Sequence, residues 1–276
     1  MIQQPYISTS RIVLSGNILE VFNYSQPIGY QLISTGKKVE HFPRRDRDKQ
    51  EITASSLSRT KNRLMRLINA NCNRWPDLNH KPIKPLFLTY TFKDNLTDIN
   101  LANTYYTNYI KRLNYHHFAN DRVRYVVVPE FQKRGAVHYH AVFFNLVVNT
   151  RSEFRNGHHA SLWSHGFIKT KKIDSVPNIG IYMTKYFTKS NIDKRLVGRR
   201  KYFSSRGLHK PTVITYPPVA NQIVDFLESL YTPINTYRCE PTEKTPHSPE
   251  NPFSCATYNL PDKDLHELLA LYNIET

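Results

Sequence analysis

The chain reads as an α+β protein built around a central antiparallel sheet flanked by helices, and three observations carry that expectation. Apolar runs rich in β-branched and aromatic residues recur at residues 86–92, 123–131 and 136–148, and the last two are separated only by a short turn. Segments of helical periodicity lie between and beside these runs without the strict strand–helix alternation of a parallel sheet. No fixed-period repeat occurs, and 276 residues with 39% apolar content are enough to bury a sizeable core.

Taken in order, Ile12-Val13-Leu14 and Ile18-Leu19-Glu20-Val21-Phe22 flank the turn-forming Ser15-Gly16-Asn17 and predict an N-terminal hairpin over residues 11–24. A mixed-charge run follows between Lys37 and Lys49, read as a solvated loop or a DNA contact. A helix is expected over 55–72, with Leu57, Leu64 and Ile68 on one face and Arg59, Arg63 and Arg66 on the opposite one. Pro82 and Pro85 end the connection to the strand at 86–92, and a helix over 100–113 comes next. Beyond the long hairpin, helices are expected over 152–164 and 179–190. A basic strand and turn then run through Arg199-Arg200-Lys201-Tyr202-Phe203 and Ser205-Arg206-Gly207. Helical spacing returns at Ile223, Leu227 and Leu230. The span 232–261, rich in Pro, Thr and Asn, has a linker-like composition, and an amphipathic helix over 262–272 closes the chain.

Lysine and arginine number 38 against 22 acids, a formal charge of +16, and the pI near 9.7 makes a polyanion the first partner to consider. Arg59, Arg63 and Arg66 on the helix, with Arg199, Arg200, Lys201 and Arg206 later, are the candidate phosphate contacts; the bland reading of the same charge is solubility. Three cysteines without a CxxC pair argue against a disulfide framework and a cysteine-ligated zinc site. The N-terminus has no cationic region followed by an apolar core, and no apolar run approaches the roughly 20 residues that span a bilayer. A cytoplasmic protein with no membrane partner is therefore expected.

His138-Tyr139-His140 lies inside an apolar strand, where side chains alternate with period two, so both imidazoles share a face and Tyr139 points away. That suits two ligands of one metal, although a pair of satisfied strand histidines has the same spacing. If Lys133-Arg134-Gly135 is a three-residue hairpin loop, Glu130 falls directly opposite His138 and adds a carboxylate to the set. Pro129 removes a ladder donor beside it and implies an edge or bulge. Two histidines and one glutamate leave coordination positions open for a substrate.

Tyr182 and Tyr186 are four apart, which on a helix puts both phenols on one face, and Lys185 lies near the same face as Tyr182. Tyr105 and Tyr109 repeat the spacing, but they have no lysine between them and are better explained by core packing.

Together these elements resemble the HUH (histidine, hydrophobe, histidine) endonucleases, in particular the two-tyrosine rolling-circle replication initiators of small single-stranded DNA phages and plasmids. Phe87-Leu88-Thr89-Tyr90-Thr91-Phe92 is similar to the family's first motif. Val137-His138-Tyr139-His140 with Glu130 upstream is similar to its metal motif, and Tyr182-Met183-Thr184-Lys185-Tyr186 to its tyrosine motif. The resemblance runs over roughly residues 84–211. It implies an RRM-like sheet in an endonuclease domain over 51–231, preceded by an N-terminal hairpin and basic extension over 1–50 and followed by a linker and C-terminal helix over 232–276. It also implies a divalent Mg2+ or Mn2+ ion on Glu130, His138 and His140, and nucleophilic attack by Tyr182 or Tyr186 assisted by Lys185. The product would be a 5′-phosphotyrosine link and a free 3′ hydroxyl. The expected partners are single-stranded DNA at a replication origin and, because no G-x-x-x-x-G-K-[ST] occurs, a host helicase and polymerase in the bacterial cytoplasm. The competing readings are a transposase of the same chemistry, a noncatalytic single-strand binding module, and a zinc hydrolase, which leaves the tyrosine pair unexplained.

Overall fold

A computed structural model describes residues 7–29, 54–118, 121–147, 157–173, 178–191, 194–196, 199–239 and 251–274. The mixed-charge run 37–49 lies outside them. The described residues are α+β, with two antiparallel five-stranded sheets and six helices, and they fall into two compact units, one drawn from residues 1–51 and 210–276, the other from 52–209.

In the first unit, β1 (Ile7–Ser15) and β2 (Ile18–Gly29) form the expected hairpin, turned by Gly16 at φ 59° and Asn17. It is the middle of a sheet. On one side β8 (Thr212–Ile214) pairs with β1; on the other β10 (Phe253–Asn259) pairs with β2 and carries β9 (Asn235–Cys239) on its far edge. Ile12, Leu14, Leu19 and Val21 pack against α5 (Pro217–Leu230) and α6 (Asp262–Leu271) through Ile223, Leu227, Leu265 and Leu268. The span with linker-like composition thus contains two strands. Its prolines and threonines surround Phe253-Ser254-Cys255-Ala256-Thr257-Tyr258, whose pairing with β2 is too distant in sequence for local composition to reveal.

The second unit carries a sheet in the order β6 (Gly166–Lys172), β3 (Leu86–Phe92), β5 (Val137–Phe143), β4 (Tyr125–Phe131), β7 (Phe203–Ser204). The strand β6 has no counterpart among the elements expected from sequence. Alternation sorts the strand residues into two layers. Leu88, Tyr90, Val127, Tyr139 and Ala141 bury against Tyr106, Tyr109 and Leu113 of α2 (Ile99–His117). Phe87, Val126, Val128 and Val142 bury against Leu64 and Ile68 of α1 (Ala54–Asn69) and Ile179, Met183 and Phe187 of α4 (Ile179–Asn191). The helix expected over 152–164 is, among the described residues, the single turn α3 (His158–Ser161).

The strand β7 pairs only with Val126 and Val127, so β4 has become an edge by the time it reaches Pro129, where a missing N–H costs nothing. Two devices fix the helix ends. Asp98 caps α2 by accepting from the N–H of Asn100 at 2.8 Å. At the start of α4, Asn178 Oδ1 accepts from the N–H of Ile181 and Asn69 Oδ1, reaching across from the end of α1, accepts from the N–H of Gly180, each at 2.8 Å.

Gly180 sits where α4 meets α1 most closely: a Cβ there would overlap the Met65 carbonyl and come within 2.7 Å of Asn69 Oδ1. Gly180→Ala is therefore expected to lower stability by about 1–3 kcal/mol, despite alanine's better helix propensity, because the helices must separate. Thermal denaturation measures this, and a variant as stable as the wild type would show that the contact yields freely.

Candidate active site

Three rows of cross-strand neighbours run over the sheet face that meets α1 and α4, and the register of β4, β5, β3 and β6 sets them. Glu130, His138, Thr91 and Phe167 form one row; Val128, His140, Thr89 and Lys169 the next; Val126, Val142, Phe87 and Lys171 the third. Glu130 thus stands opposite His138, as the hairpin geometry requires. Gln132 N–H donates to Ala136 O at 2.9 Å, closing a loop of Lys133, Arg134 and Gly135, and Gly135 adopts φ 92°, where a side chain would be strained.

The imidazole of His140 is buried and anchored at both nitrogens. Its Nδ1 is 3.2 Å from Thr89 Oγ1, and its Nε2 is 2.6 Å from Glu130 Oε2. His138 is half-buried, and its Nε2 has no hydrogen-bond partner among the described residues. Burial, followed by the neighbouring charge of His140, pushes the His138 pKa down to about 4 against the opposing pull of Glu130, so the ring is neutral at physiological pH. The two rings lie 6.3 Å apart. Among the described residues, no group of three or more His, Cys, Asp or Glu side chains is gathered tightly enough to hold an ion as it stands.

The helix α4 brings Tyr182 and Tyr186 to this same face, with their hydroxyls 3.3 Å apart. The Tyr186 ring stacks on His140 at a centroid distance of 3.9 Å, and Phe87 packs under both phenols at 5.3 Å. Burial, then the Tyr182 hydroxyl and the charges of Tyr182 and Glu130, push the Tyr186 pKa far above its ordinary value. Tyr182 has two cations beside its ring: Lys171 Nζ at 5.4 Å and Lys185 Nζ at 5.7 Å from the centroid. The other tyrosine pair is elsewhere. Tyr109 is fully buried in the α2 layer, donating to His159 O at 3.1 Å, and Tyr105 stacks on His165.

The basic residues separate into groups. Arg59 and Arg63 are exposed on α1 and Arg66 is half-buried there. Arg63 lies close enough to Tyr202 to lower its pKa against the raising effect of burial. Arg200 and Lys201 line a recess of about 600 Å³ together with Thr60 of α1, Tyr125 and residues 202–204. Arg199 turns instead toward α2 and donates to Asn100 Oδ1 at 2.6 Å, and Arg206 is exposed at the turn beside Gly207. Thr89, Phe87 and Asn69 were invisible as site residues because each acts through a cross-strand or interhelical neighbour. The β6 residues could have been found from the alternation in Phe167-Ile168-Lys169-Thr170-Lys171.

A phenol pair on a helix, a neutral imidazole, a second imidazole bound to a carboxylate and nearby ammonium groups can together bind an anion and deliver an oxygen nucleophile to it. Among the described residues no helix is long and apolar enough to cross a membrane. No curated protein and no solved structure matches the chain significantly. The family model of the ORF2-type replication-associated protein matches residues 85–191, less than half of the chain but the part that runs from β3 through α4 and carries Thr89, Glu130, His138, His140, Tyr182 and Tyr186.

Proposed function

We propose that this protein is a metal-dependent HUH endonuclease that nicks single-stranded DNA through a tyrosine nucleophile and so initiates rolling-circle replication. The reading rests chiefly on one observation: the α4 phenol pair is packed directly against the His140 and Glu130 end of the histidine strand, with Tyr186 stacked on His140 at 3.9 Å. The match to a replication-associated family over residues 85–191 supports it independently.

Glu130, His138 and His140 fit a divalent ion such as Mn2+ or Mg2+: they share one face in adjacent rows, they offer a carboxylate and two imidazoles, and His138 Nε2 is buried without another partner among the described residues. When bound, such an ion stabilises charge on the nonbridging oxygens of the scissile phosphate. The tyrosine does the rest. Its phenol loses a proton, the oxygen forms a bond to phosphorus, and the bond from phosphorus to the 3′ oxygen breaks. A 5′-phosphotyrosine and a 3′ hydroxyl remain. Tyr182 makes the first cut, because Lys171 and Lys185 stand beside its ring where they can meet the incoming phosphate, whereas burial, Tyr182 and Glu130 disfavour a phenolate at Tyr186. Tyr186 then serves the second cleavage and strand transfer.

The test is to incubate the protein with a random pool of single-stranded oligonucleotides and Mn2+, and to seek an adduct that survives denaturation. The adduct should map to Tyr182 by mass spectrometry. Tyr182→Phe keeps the ring packing and should reduce it by at least roughly 1,000-fold. Glu130→Ala, His138→Ala, His140→Ala and chelation should each abolish it, while Tyr186→Phe should still nick but fail to transfer strands. No adduct from any pool, or an adduct on Tyr105 or Tyr109, overturns the reading.

The basic clusters on α1 and at residues 199–201 are proposed as phosphate contacts. Affinity for single strands should then fall with salt by a log–log slope of about 0.7 per phosphate neutralised, and replacing Arg59 and Arg63 together by glutamine should flatten the slope by about 1.4. An unchanged slope assigns these charges to solubility.

A further inference from the structure

The edge strand β6 pairs on one side with β3, and its inner and outer faces differ in kind. Ile168 packs into the α2 layer and Thr170 Oγ1 lies 3.4 Å from His159 Nε2. On the outer face Phe167, Lys169 and Lys171 alternate, and cross-strand register sets them in the same three rows as His138, His140 and Phe87. Exposed lysines alone on an edge strand are adequately explained as a guard against pairing with another chain. Phe167 is not. It is 72% exposed, and an aromatic ring on an open edge invites the association that the lysines discourage. Lys169 has no acidic partner among the described residues, and Lys171 is aimed at Tyr182, 5.4 Å from its ring.

We propose that Phe167, Lys169 and Lys171 form a track for single-stranded DNA, in which a base stacks on Phe167 and successive phosphates meet Lys169 and Lys171 on the way to Tyr182. This rests on the reading of the protein as a single-strand endonuclease. The dimensions suit an extended strand: alternate residues of a β-strand are about 6.6 Å apart, so the track is about 13 Å long, and it runs about 10 Å from the histidine strand. Base stacking on an aromatic ring beside cations is the chemistry by which proteins grip single strands without reading sequence. A duplex presents no free base face to such a ring.

The experiment uses the full chain and an oligothymidylate probe. Phe167→Trp keeps an aromatic ring and reports stacking directly: its fluorescence should be quenched by the probe beyond the response of the two native tryptophans. Phe167→Ala should weaken binding roughly 5- to 150-fold with little change in salt dependence. Replacing Lys169 and Lys171 together by glutamine should lower the salt slope by about 1.4. No added quenching in Phe167→Trp together with wild-type affinity in Phe167→Ala overturns the track. So does an unchanged salt slope in the double lysine variant. The covalent-adduct assay on the wild type separates this from the endonuclease reading. An adduct in the wild type with no effect of these variants removes the track and keeps the nuclease. Quenching and weakened binding with no adduct keep the track and remove the nuclease.

Discussion

The site depends on β5 being held from both faces at once. Tyr139, Ala141 and Phe143 fill the layer under α2, and Val142 and Phe144 fill the layer under α1 and α4. A strand packed on both sides cannot slip by one residue without exchanging the two sets. Such a slip would drive both imidazoles among Tyr90 and Tyr106 and would take Tyr139 from its 2.6 Å hydrogen bond to Asn103. Each large side chain so displaced forfeits about 1.5–3 kcal/mol of burial. The register is therefore the most strongly determined property of the sheet, and the alignment of Glu130 with His138 follows from it through a loop whose Gly135 alone accepts the required φ.

A second constraint sets the tyrosines against that strand. The helix α4 begins with two N–H groups satisfied by asparagines, one of them on α1, and Gly180 permits the close approach. Once the first turn is fixed, helical spacing carries Tyr182 and Tyr186 to the sheet face without loop flexibility between anchor and nucleophile. The arrangement is not optimised for stability. A buried ring nitrogen without a partner among the described residues, as at His138, costs about 1–3 kcal/mol, and the fold tolerates this because the flanking layers are fully packed. Unsatisfied polarity of this kind in an otherwise consistent core marks the positions where the sequence serves something other than folding.

What could be read from the sequence follows from how local each signal is. The His138-Tyr139-His140 alternation, the Glu130 register and the Tyr182–Tyr186 spacing depend on neighbours within one hairpin or one helix, and the structure has those geometries. Helices α1, α2 and α4 appear within a few residues of expectation because their apolar stripes are continuous. The failures are nonlocal. Pairing of β10 with β2 joins Phe253 to Tyr24, and no periodicity within a window of residues reports it. The strand β6 escaped because its outer face is Phe, Lys, Lys, a pattern that resembles a charged loop until the partner strand is known. Thr89 is a site neighbour only by virtue of standing across from His140.

Burial on the α1 and α4 face falls across the sheet. Val126 and Val128 on β4 are inaccessible, His140 on β5 is 5% exposed, and Phe167 on β6 is 72% exposed. The imidazoles and phenols stand at the boundary of that gradient. On the dry side, low local dielectric strengthens the interaction of Glu130, His140 and any charge brought to them. On the wet side, a polymeric ligand can lie along the sheet without threading a closed pocket. An enclosed cavity would give stronger electrostatics but could not admit the middle of a long strand, whereas a fully open sheet would leave the charges screened by water. The half-covered sheet meets both demands, and it explains why the cations nearest the phenols, Lys171 and Lys185, come from opposite sides of the boundary, one from the exposed edge strand and one from the helix that closes the dry half.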